Sequence, residues 1–357
     1  MTGEHAEKRR RVLALLDAEG LDALVLRRPG NVAWYSCGGR THVLATPEVG
    51  VADVVVRRDG AEVVTAVNEV ARLESEELTA LDASFRVLPW SADRDAALPT
   101  GDSIGADAAV PGTRPVAPAV ERLRRSLTDA EVERYRRLGR DAAEALTHVC
   151  GTLDPAASEH EAAARAGAAL LERGIDPVVL LVAGAGRLPR HRHPLPTDAP
   201  LGGLAMLVVC GRRHGLVASL TRFVSFGGLD PLLAETFDRL LCVDVAFDAA
   251  TRPGERVGAV FARGTAAYAE HGFDAGEWRL HHQGGPTGYE ARDYLADADS
   301  AAVVEPAQAF AWNPSVPSLK SEDTILALEE GPEILTLDPG WPAREVEGLL
   351  RPLVLER

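Results

Sequence analysis

The order of helix-like and strand-like patterns from residue 126 onward most constrains how this chain can fold. Two segments of helical periodicity are followed by apolar, strand-like runs, and the same order is then repeated. This alternation predicts an α+β domain with a hint of internal duplication. The predicted helices cover residues 126–150, 158–174, 229–248 and 254–271, and the predicted strands cover 178–186, 205–227, 308–313 and 323–329.

The first of these helices carries a start signal. Thr128 is followed three residues later by Glu131, which is the spacing of a capping box. We therefore expect the helix to begin next to Thr128.

The residues before this region predict a smaller α/β domain. Residues 51–67 contain an Asp-Gly dipeptide between two apolar runs, which predicts a β-hairpin. Residues 95–118 are rich in Pro, Gly, Ala and Asp and predict a connector with one short strand. The boundary is placed at residue 120, giving domains 1–120 and 121–357. Also predicted are a helix over 7–19, a strand over 22–28, a helix over 68–81 and a strand ending at 88–90.

Composition and charge exclude several functional classes. The chain has 357 residues, 46% of them hydrophobic, and a net charge of −15 from 38 basic and 53 acidic residues. An acidic chain without a basic patch is a poor binder of nucleic acid, and no apolar segment reaches the length of a membrane span. We expect a soluble, cytoplasmic protein that acts on a small molecule and has neither nucleic acid nor membrane as a partner.

The four cysteines are far apart in the sequence and form no CxxC pair. This spacing favours buried thiols over a disulfide framework or a zinc knuckle. They are Cys37, Cys150, Cys210 and Cys242.

Four segments resemble the pita-bread family, which includes creatinase, prolidase, aminopeptidase P and methionine aminopeptidase. They occur in the order LVAGAGRLPRHRHPLPTD, LVASLTRFV, HHQGGPTGYE and LKSEDTILALEEGPEILT. The resemblance covers residues 123–337, and the first 120 residues resemble the N-terminal domain of creatinase and prolidase. It implies a C-terminal pita-bread domain preceded by a small creatinase-type α/β domain.

The resemblance also implies where a metal centre would lie. Peptidases of this family hold two divalent metals with two Asp, one His and two Glu residues. Only the last Glu is retained, as Glu322. The other positions fall on Val208 or its neighbour Val209, Ser219, Gly285 and Asn313.

One carboxylate and one amide cannot hold two divalent cations, which need four to six ligands. The sequence therefore predicts no metal and no other cofactor. A shift in alignment that makes His281 or His282 a ligand stays open, but residues 205–226 contain no Asp or Glu under any alignment. Gly285 is expected to leave room for substrate in the former metal space.

Two histidines that flank the substrate in the family are retained as His193 and His281. Creatinase, which resembles this chain in lacking the metals, implies that His193 is the catalytic histidine and Glu322 one of the glutamates. The chain departs from creatinase at Thr221, where creatinase has a further Glu.

The predicted catalytic residues are His193, Glu322 and His281. Imidazole titrates near neutrality, so His193 can carry a proton from water to a leaving nitrogen. Glu322 would hold the protonated histidine or orient a cationic substrate, and His281 would polarise an oxyanion with the help of Asn313. Each of these residues has a purely structural alternative, such as a loop histidine or a buried ion pair.

The predicted substrate-binding residues are Asn313, His282, Arg40, Arg222 and Tyr289. Asn313 precedes Pro314 and is also compatible with a turn. Arg222 is usually structural in the family. Arg40 matches the region that reaches the partner's pocket in creatinase-like dimers, which implies a homodimer. Tyr289 would either line the pocket or pack in the core.

The leading hypothesis is a metal-independent, creatinase-like enzyme that hydrolyses a C–N bond in a small polar molecule by His/Glu acid–base catalysis. The alternatives are an aminopeptidase P- or prolidase-like metallohydrolase with one atypical metal, a metal-free lyase, and a non-catalytic binding module. The last rests on analogy with the metal-free pita-bread domain of a histone chaperone.

Overall fold

The structure, a computed structural model, describes residues 3–357 and divides into two compact units. The first unit contains the described residues up to Glu131 together with His214–Leu216, and the second contains Val132–Arg213 and Val217–Arg357. Within the described residues, no helix has both the length and the apolar character required to cross a bilayer.

The first unit is built on a six-stranded sheet with the strand order β4-β3-β2-β1-β5-β6. Its strands are β1 (Ala23–Leu26), β2 (Ala52–Arg57), β3 (Ala61–Ala66), β4 (Ser84–Leu88), β5 (Ile104–Ala106) and β6 (Arg114–Pro115). Its helices are α1 (Gly3–Glu19), α2 (Pro29–Tyr35), α3 (Val70–Arg72) and α4 (Ala117–Leu123).

Two predictions for this unit differ in outcome. The hairpin over 51–67 is confirmed, because β2 and β3 pair in antiparallel register on either side of the Asp-Gly turn. The helix over 68–81 is wrong for most of its length: one turn of α3 runs into a π-helical turn over Leu73–Glu77. There the Glu77 carboxylate accepts hydrogen bonds from the backbone and side chain of Arg40, so a tertiary contact overrides the local helical pattern.

The connector contributes more to the sheet than predicted. β5 pairs in parallel with β1, and β6 pairs in parallel with β5, so residues 95–118 supply two strands. The predicted boundary at residue 120 lies inside α4.

The second unit contains two pairs of long helices and two four-stranded sheets, ordered β18-β9-β8-β7 and β10-β11-β14-β15. Its helices are α5 (Asp129–Cys150), which begins in the last residues of the first unit, α6 (Glu159–Leu171), α7 (Pro231–Ala250) and α8 (Val257–Glu270). Its main strands are β7 (Asp176–Gly184), β8 (Leu204–Arg213), β9 (Leu216–Ser225), β10 (Gly284–Thr287), β11 (Gln308–Trp312), β14 (Asp323–Leu328) and β15 (Gly331–Ile334). The short strands are β12 (Ser315–Val316), β13 (Leu319–Lys320), β16 (Ala343–Val346), β17 (Leu349–Pro352) and β18 (Leu355–Glu356).

The predicted capping box of α5 is confirmed. The backbone N–H of Thr128 donates to the Glu131 carboxylate at 2.8 Å, and the Glu131 N–H donates to Thr128 Oγ1 at 3.4 Å. The predicted α+β order of this unit is therefore present from its first helix onward.

A large apolar core lies between α7, α8 and the strands of this unit. Phe247 of α7 stacks on Trp312 of β11 with 4.9 Å between ring centroids. Gly264 of α8 faces the Phe247 ring so closely that a Cβ atom would lie 2.2 Å from it, so α8 requires a glycine here.

Strand register brings the ends of three strands together. Trp312 lies opposite Gly284 in one ladder and opposite Asp323 in the next. Asn313 follows Trp312, and Glu322 precedes Asp323. Both therefore lie at the same end of the sheet as the residues that precede Gly284.

A cluster of buried ion pairs between side chains lies next to this end of the sheet. Arg351 of β17 is fully buried and forms ion pairs with Asp244 and Asp248 of α7 and with Asp323 of β14. Burial raises the pKa of Asp244 to about 6 and raises that of Asp248 well above its usual range. The Arg351 guanidinium opposes this rise at both carboxyls.

The four cysteines are free thiols. Cys150 and Cys210 are buried as predicted, whereas Cys37 and Cys242 are only half-buried. The prediction of buried thiols is wrong for these two, since Cys37 lies in a loop and Cys242 lies at the partly exposed side of α7.

Replacing Arg351 by Met should lower the free energy of unfolding by about 3–5 kcal/mol at pH 7, because it leaves buried carboxylates without a cation. Urea unfolding measures this loss. The matched control is Arg344→Met, which removes a half-exposed arginine paired with Asp238 at 2.7 Å and should cost less than about 1 kcal/mol. Equal losses in the two variants would contradict this account of the cluster.

Candidate functional site

The loop between β7 and β8 carries His193 and is held in place by a buried carboxylate. Glu159, fully buried at the start of α6, accepts hydrogen bonds from the backbone and the hydroxyl of Thr197 at 2.9 and 2.8 Å. It also forms an ion pair with Arg187. These bonds fix both ends of the loop, while His193 itself is exposed at the surface.

His281 and His282 follow a short helical turn, Glu277–Leu280, and lie next to His193. The Nε2 atoms of His281 and His193 are 2.9 Å apart, a hydrogen-bond distance. The rings of His281 and His282 stack with centroids 4.4 Å apart. The two adjacent side chains therefore lie side by side, although neighbouring loop residues usually point apart. Gln283 donates to the His281 carbonyl at 2.7 Å and thereby constrains the chain at this point.

The three imidazoles are held in their neutral forms. Burial, followed by the charge of Lys320, lowers the pKa of His281 to about 2. Although part of the His193 side chain is exposed, desolvation by the surrounding protein atoms, followed by the charge of Lys320, lowers the pKa of His193 below its ordinary value. Burial and the nearby Arg292 lower the pKa of His282 to about 4. At pH 7 the hydrogen bond between His193 and His281 therefore joins two neutral rings, one of which donates and the other accepts.

Glu322 does not pair with His193. Its carboxylate is 2% exposed and accepts a hydrogen bond from Arg292 at 2.6 Å, one from the Lys320 ammonium at 2.7 Å and one from the Thr221 hydroxyl at 3.1 Å. Burial alone would raise the pKa of Glu322, but the two cations outweigh it and lower the pKa to about 2. Glu322 is therefore an ionised anchor for two cations, not the partner of a histidine.

Arg292 and Lys320 were missed by the sequence analysis. Arg292 lies in the irregular segment after β10, where no periodic pattern predicts a contact. Lys320 carried a usable signal, because it is one of only two lysines in a chain that otherwise uses arginine. Arg292 also donates to Ser219 at 3.3 Å, so this cation contacts two of the positions that carry metal ligands in the family.

The residues present do not fit a pair of divalent metals. Val208 lies in the apolar core, and Glu322 has both carboxylate oxygens occupied by cations. At Gly285, where φ is +147°, a Cβ atom would lie 2.9 Å from the Tyr294 carbonyl oxygen and 3.0 Å from the Ala296 nitrogen. The expectation that Gly285 leaves room for substrate is therefore wrong, because neighbouring backbone fills that space.

The spacing of the three histidines would allow them to bind a single metal ion, but the positive charges of neighbouring side chains oppose it. One ring nitrogen from each of His193, His281 and His282 lies within 4.8 Å of the others. The charges of Lys320 and Arg292 act on the same rings, and like charges repel a divalent cation from such a position.

Asn313 occupies the former glutamate position beside Glu322. It is 2% exposed, its N–H donates to the Gln283 carbonyl at 3.0 Å, and its Oδ1 accepts no hydrogen bond from the described residues. An unsatisfied buried oxygen is costly, and this atom can accept a hydrogen bond from a bound water or substrate.

The other predicted substrate ligands are placed differently. Arg222 is 2% exposed and donates to Asp323 at 2.9 Å and to the Thr336 carbonyl, so its predicted substrate contact is corrected to a structural role. Alternation along β9 directs Thr221 to Glu322 and Arg222 to the opposite face. Tyr289 is buried. Arg40 pairs with Glu77 at 2.8 Å within the first unit.

Comparison with known proteins identifies the fold. Prolidase from Pyrococcus horikoshii is 17% identical, with a TM-score of 0.78 over 93% of this chain and 98% of that one. Dipeptidase PepE from Mycobacterium ulcerans is 19% identical, with a TM-score of 0.78 over 99% and 98%. The N-terminal domain of the FACT complex subunit SPT16 from chickpea, Cicer arietinum, is 13% identical, with a TM-score of 0.70 over 93% and 96%. No curated protein matches the chain significantly by sequence.

The sequence profile of metallopeptidase family M24 matches residues 133–331, which is more than half of the chain. Together with the solved structures, this match confirms the predicted pita-bread fold with its N-terminal domain and supports a hydrolase. The chain belongs to metallopeptidase family M24.

Proposed function

We propose that this chain is a hydrolase that works without the metal pair of its family and cleaves a C–N bond in a small polar molecule. The observation that carries the proposal is the pairing of Glu322 with both Lys320 and Arg292. Both oxygens of the carboxylate retained from the former metal site are thereby occupied by side-chain cations.

His193 is the proposed proton carrier. It is neutral, exposed at the surface and oriented by its hydrogen bond to His281. Water attacks the carbon of the C–N bond while a proton moves from the water to the His193 ring nitrogen that does not face His281. His193 then gives this proton to the leaving nitrogen as the C–N bond breaks. Such transfer contributes about 10²–10⁴ in rate.

Lys320 and Arg292 set the electrostatics of the site. With Glu322 they leave one net positive charge beside the neutral imidazoles, which favours a developing oxyanion. The prediction that Glu322 orients a cationic substrate is therefore not part of this proposal. The proposal keeps a creatinase-like proton transfer at His193 but assigns to Glu322 the positioning of two cations. The site accordingly suits a substrate with an anionic or strongly polar oxygen.

The first test removes metals. Protein dialysed against a chelator would be incubated with a panel of N-acyl and N-amidino amino acids, and amine release followed by NMR. We expect turnover of at least one compound to be unchanged by the chelator, with far less than one divalent ion per chain in elemental analysis. Activity that is lost on chelation and restored by Zn²⁺ or Mn²⁺ would instead support the metallohydrolase with one ion at the three histidines.

Replacing His193 by Ala should reduce kcat by about 10²–10⁴ while leaving the urea midpoint unchanged, because the residue is exposed and carries the proton. His191→Ala, which removes another exposed histidine two residues away, is the control and should keep near wild-type kcat. Near-normal turnover by a folded His193→Ala protein would exclude the proposed role. Glu322→Gln is less informative, since it strips a carboxylate from two cations and should also destabilise the fold.

The pH dependence provides a separate check. His193 acts as a base in its neutral form, and its pKa lies below the ordinary 6.5. The acid limb of kcat/KM should therefore have its midpoint below pH 6.5, with activity lost as pH falls through it. In parallel, the imidazole NMR signals of His281 should not titrate between pH 8 and pH 5, because its pKa is about 2. A midpoint at or above 6.5, or a titrating His281, would contradict the electrostatic account.

A further inference from the structure

Three side chains that can bind a metal ion lie close together next to α7, away from the three histidines. Cys242 lies in the middle of α7, His271 follows the last residue of α8, and Glu347 lies in the turn between β16 and β17. A thiol sulfur, a ring nitrogen and a carboxylate oxygen from these residues lie within 4.8 Å of one another.

We propose that Cys242, His271 and Glu347 bind one borderline divalent cation of the Zn²⁺ or Co²⁺ class. Sulfur, imidazole and carboxylate are the ligand types that such ions prefer, and a tetrahedral ion needs its ligands roughly 3.3–3.8 Å apart given the usual bond lengths. Glu347 is exposed, and the proposal requires its side chain to move towards Cys242 and His271 when the ion binds. Water, or the nearby Asp238 carboxylate, completes the coordination.

This cluster contains carboxylates that can bind a cation, in contrast to the histidine site. Glu347 and Asp238 both act on the Cys242 thiol, and Arg344 is the opposing cation. Arg344 is itself paired with Asp238 at 2.7 Å. A second cation, Arg239, lies on the His271 side, with a guanidinium nitrogen 3.1 Å from where a Cβ atom on Gly272 would be. The carboxylates supply anionic ligands, and an incoming dication would displace the thiol proton.

A bound ion would connect three elements, namely α7, the end of α8 and the hairpin formed by β16 and β17. The β16–β17 hairpin carries Arg351 into the buried cluster with Asp244 and Asp248. An ion at the hairpin turn ties this hairpin to α7 and to the end of α8. Because the site exists only in the folded chain, the ion stabilises the native state by an amount that grows with the logarithm of the free ion concentration above the Kd.

The experiment is a Co²⁺ titration of the full chain, followed by near-ultraviolet absorption and thermal unfolding. We expect one Co²⁺ per chain with a thiolate charge-transfer band, and an increase in Tm that Zn²⁺ reproduces. Cys242→Ser should abolish the band, and both Cys242→Ser and His271→Ala should weaken binding more than tenfold. Cys37→Ser removes the other half-buried thiol and should leave the band and the affinity unchanged.

A second control separates this site from the histidines. His193→Ala should keep full Co²⁺ affinity, since His193 belongs to the other cluster. Undiminished binding in Cys242→Ser, loss of binding in His193→Ala, or no measurable binding to the wild-type chain would each overturn the proposal. None of these outcomes depends on turnover, so the inference fails or stands independently of the proposed reaction.

Discussion

The salt bridges from Lys320 and Arg292 to Glu322 are the interactions on which the rest of the site depends. They leave a buried carboxylate ionised, with both of its oxygens occupied. The same two cations act on the neighbouring imidazoles and help to keep them neutral. A buried charge that lost these partners would be expensive. A single ionic arrangement therefore accounts for the poor fit to a metal pair and for the protonation state of the histidines.

The backbone of the site follows from strand register, whereas its chemistry follows from the side chains at the strand ends. β10, β11 and β14 pair so that the segment before Gly284, Asn313 and Glu322 lie at one end of the sheet. Thr221 of β9 joins them, since its N–H donates to the Glu322 carbonyl at 2.9 Å. At this end of the sheet, asparagine, serine and threonine side chains lie beside a lysine and an arginine.

Much of the fold could be predicted from the sequence because its signals are local. The Asp-Gly hairpin and the Thr128–Glu131 capping box each depend on a few adjacent residues, and both are present. The helix over 68–81 failed because Glu77 takes part in a tertiary contact with Arg40 that no local pattern encodes. The site was predicted in part for the same reason. The missing metal ligands could be recognised by position, whereas the role of Arg292 depends on an irregular segment whose path only the folded chain defines.

The most direct test of the central claim is anomalous X-ray diffraction from crystals of the full chain soaked in Mn²⁺. The account predicts that Lys320 Nζ and the Arg292 guanidinium stay within hydrogen-bond distance of the Glu322 carboxylate, with no anomalous peak at bonding distance from it. A strong anomalous peak from Mn²⁺ bound to Glu322, with the Lys320 and Arg292 side chains displaced, would contradict the claim that these two side-chain cations take the place of the metal pair.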